Sequence, residues 1–263
     1  MGRSAKGKRE ESSISRIVAL GASNLTRGFR AFVSTARAEW GPGVQMFAAL
    51  GHGRSFGAPS KVGFRTLPGI LESGLWAALQ SSPEVPTRAL VTDVGNDILY
   101  GFSAGQILTW VGEAINRLQR ITNDIVLTNL PLVTIRKLSE TKFLIFRSIL
   151  FPSSRLLFSN VLEAVERVDA GLRELSAVQG IRLFRLDPAW YGFDPIHVRR
   201  SLWRLAWREI LGACSEEVGG GGSFLEGLRL RLMPPERRWL FGVEQFTPQS
   251  GRRLPLGGRV WLY

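Results

Sequence analysis

The chain has 263 residues, 44% of them hydrophobic and 21% charged, enough to bury a large core and unlike the composition of a disordered polymer. A single cysteine, Cys214, excludes an intrachain disulfide and any multi-cysteine zinc site, and two histidines, His52 and His197, are too few for a histidine-rich metal centre. The net charge of +12 favours anionic partners, either a surface or a substrate, but the basic residues are dispersed and accompany no zinc finger or RNP-type strand, so no specific nucleic-acid recognition is expected.

Residues 1–15 are polar and basic, with no apolar stretch. They read as a disordered tail without a secretory signal. Short apolar runs then alternate with amphipathic stretches. Strands are expected at Arg16–Gly21, Val44–Leu50, Arg88–Val94, Asp124–Asn129 and Ile181–Leu186. Helices are expected at Arg27–Trp40, Leu67–Gln80, Ser103–Ile121, Ser159–Val178 and about Val198–Leu211. The alternation implies βαβ units, a parallel sheet of about five strands and a three-layer α/β/α sandwich. Nearly continuous apolar strands agree, because such strands are covered on both faces.

Two segments fall outside this pattern. Residues 134–158 form a basic, strongly apolar insertion, read first as one more packed helix and second as a flap near the site. Its greasiest stretch is broken by Arg147 and falls short of the roughly 20 residues that cross a bilayer. Residues 219–263 begin with the linker Gly219-Gly220-Gly221-Gly222-Ser223 and carry expected strands at Leu228–Leu232, Arg238–Phe241 and Arg259–Leu262. This tail is a short β-rich appendage to a main domain at 16–218. The lone cysteine and the lack of a signal or span point to a cytoplasmic protein.

Four of the five expected strands end in a loop with chemical potential. Past the first comes Gly21-Ala22-Ser23-Asn24-Leu25, where Ser23 reads as a helix cap or as a nucleophile aided by the helix dipole. Past the second comes Gly51-His52-Gly53, whose glycines permit close backbone approach or simply make a turn. Past the third, in Gly95-Asn96-Asp97, the Asn96 amide is an oxyanion donor or an Asx-turn residue. Past the fifth comes Asp194-Pro195-Ile196-His197, a carboxylate three residues before an imidazole. Together the loops supply a nucleophile, a base with its orienting acid, and oxyanion donors, the set that acyl transfer needs.

These four blocks, in this order, resemble those of the SGNH hydrolases, the GDSL-type lipases and esterases, over about residues 16–212. The resemblance implies a flavodoxin-like fold and a serine esterase needing no metal or cofactor. It implies Ser23 as nucleophile, His197 as general base, Asp194 as its orienting acid, and an oxyanion hole of Ser23 N–H, Gly53 N–H and the Asn96 side chain. The expected partner is a small-molecule ester, with His52 beside the substrate. Acyl transfer to an alcohol would use the same site, and a basic binding module is the reading of another class. Ala22 stands where the family usually has aspartate.

Overall fold

The structure, a computed structural model, describes residues 14–150, 156–214, 224–254 and 257–263. Most of the N-terminal tail and the glycine linker lie outside them. In chain order the elements are β1 (Arg16–Leu20), α1 (Ser23–Trp40), β2 (Gln45–Ala49), β3 (Ser60–Val62), β4 (Arg65–Leu67), α2 (Leu75–Gln80), β5 (Thr87–Val91), α3 (Asn96–Leu99) and α4 (Ala104–Gln119). There follow β6 (Ile125–Thr128), α5 (Leu132–Arg136), α6 (Glu140–Leu150), α7 (Phe158–Gln179), β7 (Arg182–Phe184) and α8 (Trp203–Leu211). The C-terminal part holds α9 (Phe224–Leu232), β8 (Arg237–Leu240), β9 (Val243–Phe246), β10 (Arg252–Arg253) and β11 (Arg259–Leu262).

The five expected strands pair in parallel in the order β2-β1-β5-β6-β7. Counted along the parallel strands this is the 2-1-3-4-5 order of a flavodoxin-like doubly wound sheet. All five residues of β1 are buried, as a strand flanked by neighbours and covered on both faces requires. One apolar layer joins α1 and α8 to the sheet through Phe32, Val33 and Trp207, and the opposite layer joins α4 and α7 through Val111, Ile115, Val168 and Leu172. The crossovers leaving β1 and β5 thus go to opposite faces. Between the carboxyl ends of these two adjacent strands lies the topological switch point, where such sheets bind ligands.

The structure departs from the sequence reading in three places. The sheet has seven strands, because β11 pairs in parallel with β2 and β10 pairs antiparallel with β11. The expected helix at Leu67–Gln80 begins only at Leu75: Pro68-Gly69 interrupts it, and Arg65–Leu67 instead pairs with β3 and β8 in a second, four-stranded sheet. Leu228–Leu232 is the end of α9 and not a strand. Its Leu-Arg alternation mimics a period of two, yet Leu228 and Leu232 are exposed while Glu226, Leu230 and Met233 are buried at helical spacing. Buried Glu226 meets Arg37 of α1 at 2.7 Å.

The insertion holds the end of α5 and all of α6, with Phe143 buried against Phe158 at a ring separation of 5.1 Å, and its residues 151–155 lie outside the described ones. No helix among the described residues is long and apolar enough to cross a membrane.

Candidate active site

Ser23 opens α1, three residues after β1 ends, and Gly21 makes that turn possible. A Cβ on Gly21 would stand 2.7 Å from Thr92 Cγ2 at the end of β5. No side chain at the cap position Ala22 bonds the helix start. The carboxylate comes instead from Asp93, in the loop after β5. Its Oδ2 accepts the N–H groups of Ala22 and Leu25, each at 3.0 Å, and its Oδ1 accepts Asn24 Nδ2 at 2.9 Å. Asp93 is held at φ 60° to do so. The N–H of Ser23 itself donates to no acceptor among the described residues.

His197 enters from the loop between β7 and α8. Asp194 Oδ1 accepts the N–H groups of Ile196 and His197, each at 3.2 Å, which curls the loop, and Asp194 Oδ2 lies 2.6 Å from His197 Nδ1. Burial alone would raise the Asp194 carboxyl, but the His197 bond and charge, the Ile196 N–H and Arg27 hold it below the usual carboxylate range. An ionised carboxylate only accepts, so Nδ1 carries the proton and Nε2 is left as acceptor. Nε2 lies 2.9 Å from Ser23 Oγ.

Asn24 fixes this register. Its Nδ2 also donates to Ile196 O at 2.9 Å, and its Oδ1 accepts Val198 N–H at 2.9 Å, so one side chain grips the backbone on both sides of His197. Arg27, one turn further along α1, places Nη1 3.6 Å from Asp194 Oδ2. Nothing in the sequence analysis singles out Asp93. Neither the positive φ nor contacts to loops that far along the chain leave a local signal.

Gly53 has φ +65°, and a Cβ there would meet Val62 and the Tyr100 hydroxyl at under 3 Å. Tyr100 donates to Gly53 O at 2.6 Å, while the Gly53 N–H donates to no described residue. Asn96 opens α3 and shares a cavity wall with Ser23; its Nδ2 makes only a long contact, 3.5 Å, to Asp93 O. Asp97 is fully buried and accepts Phe56 N–H at 3.0 Å, tying the glycine loop to α3. Burial raises its carboxyl to about 6 against the opposing bonds from Phe56 and Ser55.

His52 lies outside that cavity wall, on the surface of the glycine loop, with its carbonyl 3.5 Å from Arg65 Nη2. Partial burial and then the charges of Arg65, Arg27, His197 and Arg231 lower it to about 4, so it is neutral at pH 7. Among the described residues no group of three His, Cys, Asp or Glu side chains is arranged to hold a metal ion.

The strand order and the Ser23, Asn96 and His197 loops at its switch point give the fold of the SGNH hydrolases. No family model matches the chain, and no curated protein matches it. One solved structure matches 79% of this chain and 100% of its own at 13% identity, with a TM-score of 0.51. The psychrotrophic esterase EstA from Pseudoalteromonas sp. aligns over 75% of this chain and 95% of its own, at 14% identity and TM-score 0.47. A member of the lipolytic protein G-D-S-L family from Veillonella parvula aligns over 77% and 99%, at 13% identity and TM-score 0.48. At such identities the likeness is one of fold.

Proposed function

We propose that this protein is a serine hydrolase that cleaves carboxylic esters through an acyl-enzyme. The observation that carries the reading is the line from Asp194 through His197 to Ser23, at 2.6 and 2.9 Å. Ser23 Oγ attacks the ester carbonyl as His197 Nε2 takes its proton, and Asp194 stabilises the imidazolium that results. The carbonyl oxygen gains negative charge in the tetrahedral intermediate. The free N–H groups of Ser23 and Gly53 and the Asn96 amide answer that charge, at the positive end of α1. Collapse breaks the ester C–O bond, and His197 returns its proton to the departing alkoxide. Water, deprotonated in turn by His197, then attacks the Ser23 ester; the acyl C–Oγ bond breaks, Ser23 Oγ takes the proton back from His197, and the acid is released.

A fluorophosphonate probe tests the nucleophile directly. Wild type should label at Ser23 and Ser23→Ala should not; equal labelling of both would refute the assignment. Asn96→Ala, lacking one oxyanion donor, should keep the label yet lose about 10²–10³-fold in kcat.

A further inference from the structure

Beside Ser23 lies a cavity of about 110 Å³. Ile98, Ile135, Leu138, Phe143, Val161 and Val165 wall it, and Ser23 and Asn96 stand at its polar end. Asp93 also reaches it, but its carboxylate is taken up by Ala22, Asn24 and Leu25. Three of the apolar walls, Ile135, Leu138 and Phe143, come from the insertion. The insertion is fixed to the histidine loop by Thr134 Oγ1, which donates to Pro195 O at 2.6 Å, and by Lys142 Nζ, 5.4 Å from the centre of the Phe193 ring. An apolar hollow of this kind costs stability while empty and readily takes an apolar guest.

We infer that this cavity holds the acyl half of the substrate, and that the preferred substrates are esters of unbranched apolar acids of about five or six carbons. The inference rests on Ser23 being the nucleophile. Whatever fills the cavity is then joined to the carbonyl that Ser23 attacks, so it is either the acyl chain or the alcohol. The alcohol must leave toward the proton on His197 Nε2. The His197 imidazole does not line the cavity, whereas Asn96, a donor to the carbonyl oxygen, does. The alcohol therefore departs on the His197 side, and the cavity is left to the acyl chain. Size follows by comparison: an apolar cavity of about 150 Å³ accepts a six-carbon ring, so this one takes about four or five carbons beyond the carbonyl.

Two ester series separate the halves. One lengthens the acyl group of p-nitrophenyl esters from acetyl to decanoyl; the other lengthens the alcohol of acetate esters over the same range. In the first, kcat/KM should rise roughly fourfold per methylene up to about hexanoyl and then fall. The second series should be nearly flat. Val165→Phe should lower the hexanoyl-to-acetyl ratio at least about tenfold by filling the space of two or more methylenes. Should that variant not fold, Val161→Leu provides the same test with a smaller change. A flat acyl series, or dependence on alcohol length instead, overturns the inference. Fluorophosphonate labelling of the same samples keeps the two readings apart: labelled Ser23 with a flat acyl series sinks the pocket alone, and absent labelling sinks the esterase reading.

Discussion

At Asp93 a residue other than glycine is held at φ 60°, a conformation that costs on the order of 1 kcal/mol and persists where the surroundings over-determine it. Its three hydrogen bonds hold the turn that carries Ser23 and, through Asn24, the loop that carries His197. Asp93→Gly suits that backbone and should fold, as far-ultraviolet dichroism would report. Its kcat should nevertheless fall on the order of 10²-fold, because a small misplacement of reacting groups is that costly. Ala22→Asp in the same chain should restore part of the loss by supplying a carboxylate from the helix side. Unchanged kcat in Asp93→Gly would show that the network does not position the site. Asp97 makes a second, pH-dependent statement. Its carboxyl moves from 3.8 to about 6 on folding, so the native state holds the proton more tightly than the unfolded chain. Stability therefore falls as pH rises from about 4 through about 6, by about 3 kcal/mol in all. Urea midpoints should show that fall in wild type and lose it in Asp97→Asn. Ser23 and Asn96 were legible because each follows an apolar strand within a few residues, and Asp194 and His197 because they stand only three positions apart in one loop. Asp93 was visible as a letter, but its partners lie 68 to 71 positions away.

Among the elements, β1, β2, β5, β6 and β7 could be found from their apolar runs and α4 and α7 from their helical spacing, since both patterns are local. The hairpin of β3 and β4 could not. Its pairing with β8 joins residues such as Thr66 and Trp239, and nothing near Thr66 announces a partner so distant. The same holds for β11. The run Arg259–Leu262 reads as a strand, but only its pairing with β2 makes it part of the main sheet. Beside it, the buried guanidinium of Arg54 donates to the carbonyls of Leu50, Pro68 and Tyr263. Burial lowers Arg54 only to about 9, so it remains charged at pH 7 and needs those acceptors. Removing residues 259–263 would take away one of them and the buried side chains of Val260, Leu262 and Tyr263. The cost should be on the order of 5 kcal/mol, comparable to the whole stability of a domain. Thermal melts should show a collapsed or absent transition; an unchanged midpoint would mean that β11 is dispensable.

On the scale of the whole molecule, the charge of +12 meets the site at one edge, where Arg27, Arg65 and Arg231 lie close enough to His52 to lower it. With His52 neutral, these guanidiniums make the potential positive near His197, the side on which the proposed mechanism releases the alcohol. An ester whose alcohol carries a sulfonate should therefore lose kcat/KM as salt rises from 0.1 to 1 M, where the screening length falls from about 10 to about 3 Å. The uncharged ester of the same acid should not, and an equal response of both would remove electrostatic steering. The sequence by itself determined the chemical groups and the α/β alternation, because apolar periodicity and loop residues are local properties of the chain. It also placed Asp194 against His197, three residues being a span that one turn closes. Only the tertiary structure decided that Ser23 and His197, 174 positions apart, meet at 2.9 Å. It alone supplied from Asp93 the carboxylate that Ala22 lacks, and set the insertion over an apolar hollow beside Ser23. Those are contacts between strand ends and across layers, and they exist only once the sheet order has been chosen.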